Sequence, residues 1–246
     1  MDRLIYTAMS GAKHILEQQT TTSHNLANAT TTGFKAQLDS FRAVPVISEG
    51  LPTRAFVVDA TVGSDFSSGA LQNTGRELDM AVSGKGWFVV QAADGSEKMT
   101  RHGSFKLNEN GVLQTQSGLS VLGEGGPITI PPEVSIAIAK DGTISSVPTG
   151  TKPNAVQVLG RLKLVNPEES NLVRDDDGLF KTRNAIVPDA DAAVNVAGGM
   201  LETSNVNVVE AMVTMINLAR QFEMQMKLLT NAENNASKAS QILTMA

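Results

Sequence analysis

The segment NVVEAMVTMINLARQFEMQMKLLTNAENNASKASQILTMA, residues 207–246, contains neither proline nor glycine. Its apolar and small side chains recur at alternating steps of four and three: Val208, Met212, Met215, Ala219, Phe222, Met226, Leu229, Glu233, Ala236, Ser240 and Leu243. That spacing holds side chains on one stripe of an α-helix. Asn207, with Glu210 three positions on, supplies the capping-box pattern at its start. A helix of this extent is about 57 Å long at about 1.5 Å per residue, well beyond what one globular domain ordinarily uses.

The other end of the chain repeats the pattern. From Leu4 to Leu26 the series Ile5, Met9, Ala12, Leu16, Gln19, Ser23, Leu26 again alternates fours and threes. Thr30, Thr31 and Thr32, followed by Gly33, end the helix, because threonine propagates helices poorly and glycine provides a flexible exit. Both stripes are narrow and flawed, Gln19 and Ser23 interrupting one and Glu233 and Ser240 the other. Stripes of this kind stabilise a helix only when packed. They fit a single intramolecular helix pair, or arms that fold against neighbouring copies. The methionine and alanine faces favour the second, since they repack against non-identical partners.

Between the arms the helical period disappears. Short β-type runs alternate with turn chemistry. Trp87–Gln91 precedes Asp94-Gly95, Ser104–Leu107 precedes Asn108–Gly111, and Val134–Ile138 leads through Asp141-Gly142 into Thr143–Val147. Asp-Gly and Asn-Gly supply the positive φ of tight hairpins. Further runs lie at Val156–Val165 and Leu179–Thr182. The expected fold class is α+β: an antiparallel β-rich central domain, with N- and C-terminal helices packing as a coiled-coil-like assembly domain. The expected divisions are 1–35 for the first helix and its exit loop, 36–203 for the β-rich body with its connecting segments, and 204–246 for the last helix.

Composition narrows the function. With no cysteine among 246 residues, disulfides and thiolate metal sites are excluded. A net charge of −5 without a cluster of cations argues against a nucleic-acid partner. No run of apolar residues is long enough to span a membrane, and Met1–Gln19 lacks the pattern of a cleaved secretory signal. His14 and His24 do not share a helix face, and His102 stands alone. Ser10-Gly11-Ala12-Lys13 matches a Ser-x-x-Lys nucleophile pattern without its supporting elements. Asp175-Asp176-Asp177-Gly178 lacks the alternating ligands of a calcium loop and reads as an acidic turn. Gly123-Glu124-Gly125-Gly126 leads into Pro127, not into a helix that would cradle phosphate. No nucleophile, base and orienting group can be assembled, so neither catalysis, cofactor nor metal is expected.

The stretch Ser23-His24-Asn25-Leu26-Ala27-Asn28-Ala29-Thr30-Thr31-Thr32-Gly33-Phe34-Lys35 resembles the N-terminal motif of bacterial flagellar axial proteins, those of the rod and hook. The resemblance continues at Thr74–Val82, Gly84–Val90, Thr100–Phe105, Ile128–Pro131, Gly199–Val206 and Met215-Ile216, and so covers nearly the whole chain. Within that family Gln37–Val46, Gly160–Val165, Asp176–Phe180 and Phe222–Lys227 are most similar to subunits of the proximal rod; distal-rod or hook subunits are the alternative. Trp87 stands where most of the family has phenylalanine.

The resemblance implies a structural subunit of the basal-body rod, located within the periplasm, that polymerises through its terminal helices to build a torque-transmitting shaft. It implies other copies and other rod proteins as partners, and the flagellar type III export apparatus in transit. Asn25, Leu26, Ala27, Asn28, Thr30, Gly33, Phe34 and Lys35 are the assembly motif it points to. Asn25 and Asn28 are expected to satisfy backbone groups near the helix end, and Gly33 to adopt a conformation that a Cβ would strain. The expected helix-seam interface comprises Ile5, Met9, Ala12 and Leu16 with Met212, Met215, Ala219, Phe222, Met226 and Leu229.

Overall fold

A computed structural model of the chain describes residues 2–45, 55–132, 134–148, 156–184 and 186–244. Val46, and the side chains of Ser240 and Leu243, lie outside the described residues. The fold is α+β, with a helix at each end and an antiparallel β-rich middle. Helix α1 spans Asp2–Ala27 and helix α2 spans Val208–Thr244. Two compact units form. One holds the described residues among 1–29, 37–65 and 206–246; the other holds those among 30–36 and 66–205.

In the helical unit α1 packs along α2. Ala8, Ala12 and Ile15 of α1 are buried, as are Leu218 and Ala232 of α2. Met215, Phe222, Gln225, Leu229 and Ala236 are half-buried around them. Small residues on α1 let the helices approach closely. At Gly11 an added Cβ would lie 3.4 Å from the Gln225 side-chain amide nitrogen, an ordinary van der Waals contact that brings this face of α1 beside α2. The start of α2 is capped by Asn207, whose Oδ1 accepts from the backbone N–H groups of Val209 (3.1 Å) and Glu210 (3.3 Å).

Gln37–Asp65, expected in the β body, instead packs with the helices. Strands Gln37–Pro45 and Ala55–Ser64 pair antiparallel, Gln37 opposite Ser64 and Pro45 opposite Ala55, with a register shift between Ser40 and Phe41. α1 contacts both strands, and the His14 ring meets that of Phe41 edge-on.

The β unit is built around the strand Trp87–Gln91. It pairs antiparallel with Glu97–Thr100, with Ser120–Gly123 and with Leu164–Val165. Its continuous apolar run is explained by burial of both faces. Phe88 and Val90 enter a core with Met80, Phe105, Leu113, Val121, Ile130, Ile144 and Leu164. Trp87 and Val89 enter a second core with Met99, Leu122, Val165, Leu172 and Phe180. A separate meander joins Val134–Ile138, Thr143–Pro148 and Gln157–Arg161.

The run Val156–Val165, expected as one strand, is therefore divided. Gln157–Arg161 completes the meander while Leu164–Val165 joins the central sheet, and the buried Leu162 turns between them, its N–H donating to the Gly142 carbonyl at 3.0 Å. Two pairings bring the beginning and end of the unit together: Met80–Ser83 with Asn195–Gly198, and Leu71–Asn73 with Met200–Glu202.

Candidate assembly site

On α1 and α2 the column recurring every seven residues (Ile5 and Ala12; Met215, Phe222 and Leu229) is covered, Ala12 being buried and the others half-buried. The second column used within the chain stands three residues further on, not four. Ala8, Ile15, Leu218, Gln225 and Ala232 occupy it. The column four residues on is more exposed: Met9 is 55% exposed, Leu16 48%, Met212 50% and Met226 45%, and Ala219 is exposed as well. Both columns are apolar, so a stripe read from residue type does not distinguish them. On α2, exposed Val209, Met212, Val213 and Ile216 form an additional apolar stripe at i, i+3, i+4, i+7. Its spacing is visible in the sequence once the capped start of the helix is set.

The motif after α1 is divided between the two units. In the helical unit, Asn25 Oδ1 accepts from the Gln37 N–H at 2.8 Å and Asn25 Nδ2 donates to the Gln37 carbonyl at 2.9 Å. One side chain thus ties the last turn of α1 to the first residue of the ribbon. Asn28 Nδ2 donates to the His24 carbonyl at 2.9 Å, the same carbonyl that accepts the Asn28 backbone N–H at 3.2 Å. Leu26 is half-buried and Ala27 exposed.

Residues 30–36 belong to the β unit. Thr30 is exposed. Gly33 has φ 67°, and its N–H donates to the Glu202 carbonyl at 2.8 Å. A Cβ there would overlap the backbone carbonyl of Arg101. Phe34 is buried, with the Arg174 guanidinium 4.5 Å from its ring centre. That guanidinium also donates to the Lys35 carbonyl at 3.1 Å. The Ala36 N–H donates to Asn205 Oδ1 at 2.8 Å.

Beside this segment lies a buried charge cluster. Lys35 Nζ is 2.7 Å from Glu202 Oε1, and both side chains are 1% exposed. The same oxygen accepts from the Gly69 N–H at 2.9 Å, and Glu202 Oε2 receives Arg101 NH1 at 3.0 Å. Lys35 Nζ also donates to the Ser67 carbonyl at 2.8 Å. Arg101 NH2 donates to the Gly84 carbonyl at 2.6 Å, and the guanidinium carbon stands 5.4 Å from the Trp87 ring centre. Burial lowers the Arg101 pKa from its ordinary value, and the Glu202 carboxylate opposes that shift. Sequence reading located Arg101 and Glu202 inside family-like stretches without assigning either a role. The available signal was a charged residue inside Met200–Glu202, a short strand otherwise apolar.

The remaining chemical candidates are structural features of their units. Asp175 and Asp177 contact Lys98 Nζ at 2.7 and 2.6 Å, and Asp175 also meets Lys181 at 3.0 Å. The Asp175–Gly178 segment is a turn closed by the Gly178 N–H on the Asp175 carbonyl. Lys13 forms an exposed ion pair with Glu17, one helical turn away. His24 is exposed and His102 half-buried.

Three family models match the chain. Residues 5–35 match the flagella basal body rod protein family, residues 81–146 the flagellar hook protein FlgE/F/G D1 domain, and residues 197–242 the flagellar basal body rod FlgEFG protein C-terminal region. The flagellar basal-body rod protein FlgF of Salmonella typhimurium strain LT2 is 49% identical over 253 aligned residues, covering 100% of both chains. That of Escherichia coli strain K12 is 47% identical with the same coverage. The flagellar basal-body rod protein FlgG of Buchnera aphidicola subsp. Schizaphis graminum is 32% identical, over 89% of this chain and 92% of the relative.

Proposed function

We propose, from the premise that this chain belongs to the flagellar basal-body rod protein family, that its terminal helices are the elements through which it polymerises into the proximal rod. The chain is a structural subunit of the basal-body rod. Its task there is mechanical, without catalysis. Its partners are other copies of itself and other rod proteins, with the type III export apparatus in transit.

The observation that carries this reading is the apolar column that stays half exposed beside the helix pair. Met9, Leu16, Met212 and Met226 remain about half exposed although α1 and α2 already pack on each other. Exposed methionines in register with a packed seam suit several differently shaped neighbours. The proximal position is supported by the FlgF relatives of Salmonella typhimurium and Escherichia coli, which match at 49% and 47% identity over the whole of both chains, whereas the FlgG match spans 89% of this chain.

The test is complementation of a flagellated bacterium lacking its own FlgF with a Met212→Asp, Met226→Asp double variant. Circular dichroism of the purified variant should match the parent, since neither residue is buried in the chain. Swimming and recovery of the subunit in purified basal bodies should both be lost. Full motility with normal incorporation would refute the assignment of this face. Rescue of a strain lacking FlgG, but not one lacking FlgF, would move the subunit to the distal rod.

A further inference from the structure

We infer that the exposed methionines of α1 and α2 are an oxidation site: a hydroperoxide reaches them in the free subunit, and their sulfoxides keep that subunit out of the rod while its fold persists. The inference rests on the polymerisation role proposed above and gives the same face a chemistry that switches it off.

With no cysteine in the chain, methionine thioethers are its only sulfur. The described methionines divide sharply by exposure. Met9, Met212, Met224 and Met226 are about half exposed or more, and all four stand on the two helices. Met80 and Met99 are fully buried in the β unit, and Met200 and Met215 are half-buried. Met224, at 60%, is the most exposed of them. It stands about three helical turns beyond Val213 and so continues the exposed stripe of Val209, Met212, Val213 and Ile216.

In the reaction a thioether lone pair attacks one oxygen of hydrogen peroxide and the O–O bond breaks. Sulfur keeps that oxygen and gives up two electrons; the other oxygen takes the spare proton and leaves as water. Access sets the rate, since Met80 and Met99 react only when their unit opens. The residues buried in the helices, Ala8, Ala12, Ile15, Leu218 and Ala232, carry no sulfur. A sulfoxide on the exposed face stays hydrated in the monomer and leaves that packing alone. Carried into an apolar contact, it loses its water without gaining a donor. Oxidation therefore acts on assembly and spares the monomer. Thioethers covered by neighbouring subunits are out of reach, which confines the sensitivity to the interval before incorporation.

In the purified full chain, hydrogen peroxide followed by peptide mass spectrometry should oxidise Met9, Met212, Met224 and Met226 about tenfold or more faster than Met80 and Met99, with the helical circular dichroism unchanged. The same treatment of purified basal bodies should leave the four unmodified. Assembly is read by competition. A strain lacking its own FlgF expresses the parent together with a variant carrying Met9→Leu, Met212→Leu, Met224→Leu and Met226→Leu, substitutions that keep apolar volume but remove sulfur. Their ratio in basal bodies grown without peroxide is the baseline. A peroxide pulse during rod growth, at a dose that oxidises the free parent, should shift the ratio toward the leucine variant by about threefold or more. Should the fourfold variant not enter rods at all, Met212→Leu, Met226→Leu takes its place. An unshifted ratio, with the methionines protected in basal bodies, would overturn the inference and leave the polymerisation role standing. So would loss of helicity on oxidation, or equal rates at exposed and buried methionines in the free chain. Methionines that oxidise as fast in basal bodies as in the free chain would overturn both, because the face would then be uncovered.

Discussion

Asn25 pairs with both backbone groups of Gln37, accepting from its N–H at 2.8 Å and donating to its carbonyl at 2.9 Å. Only an amide offers an acceptor and a donor side by side in this way. Asn25→Asp keeps the shape but turns an oxygen against the Gln37 carbonyl. Asn25→Ala leaves both backbone groups to find water in a part-buried site. Each should cost about 1–3 kcal/mol in urea unfolding, with Asn25→Asp no milder than Asn25→Ala. An aspartate variant as stable as the parent would contradict the pairing.

Gly33 and Gly75 separate two reasons for glycine. Their φ angles are nearly equal, 67° and 69°. An added Cβ at Gly33 overlaps the Arg101 backbone, whereas at Gly75 it finds nothing within 4 Å. Gly75→Ala therefore carries only the left-handed penalty, about 1 kcal/mol. Gly33→Ala carries that penalty and also displaces the docked segment, for a loss of about 3 kcal/mol or more. The comparison is made by chemical denaturation followed at Trp87. Equal losses at the two positions would remove the close approach from the explanation.

The two apolar columns of α2 should respond in opposite ways. Leu218 is buried in the helical unit, so Leu218→Ala should destabilise the monomer by about 2–4 kcal/mol. Met212→Ala should change monomer stability by less than about 0.5 kcal/mol, as surface substitutions do. Its effect should appear instead in assembly, as fewer subunits recovered per basal body. If both substitutions acted only on the monomer, the outer column would have no partner to meet.

The helix seam marks how far the sequence could be read. The alternating fours and threes select covered positions such as Ala12, Met215, Phe222 and Leu229 and exposed ones such as Met9, Leu16, Met212 and Met226 alike. Choosing between the columns three and four residues on requires knowing what packs against each helix. The run Trp87–Gln91 and its Asp94-Gly95 hairpin were legible because both signals are local. The ribbon of Gln37–Asp65 was not, since its placement depends on which unit covers it. Nor was the charge cluster: Lys35 and Glu202 acquire meaning only when 167 residues of chain bring them together. Long-range electrostatics leaves no periodic trace in a sequence.

A last prediction concerns acid. Hydrogen bonds from Lys98 first, and then from Lys181, hold the Asp175 carboxyl well below the usual carboxylate range. Asp175 and then Asp177 hold the Lys98 ammonium above its ordinary value. A carboxylate whose folded pKa is depressed adds stability that is complete above its unfolded pKa of about 3.9 and is lost as pH falls through the folded value. The raised lysine adds stability complete below its unfolded pKa of about 10.4 and lost only as pH climbs through the folded value. Lys98→Met should therefore lower stability by a constant amount between about pH 5 and pH 9. Below about pH 4 the gap between variant and parent should narrow as Asp175 takes up its proton in the unfolded chain. Urea unfolding across that range, with the Asp175 carboxyl followed by NMR, measures both effects. A gap that stayed constant down to about pH 2.5 would mean that the Lys98 contact, not the charge of its partners, supplies the stabilisation.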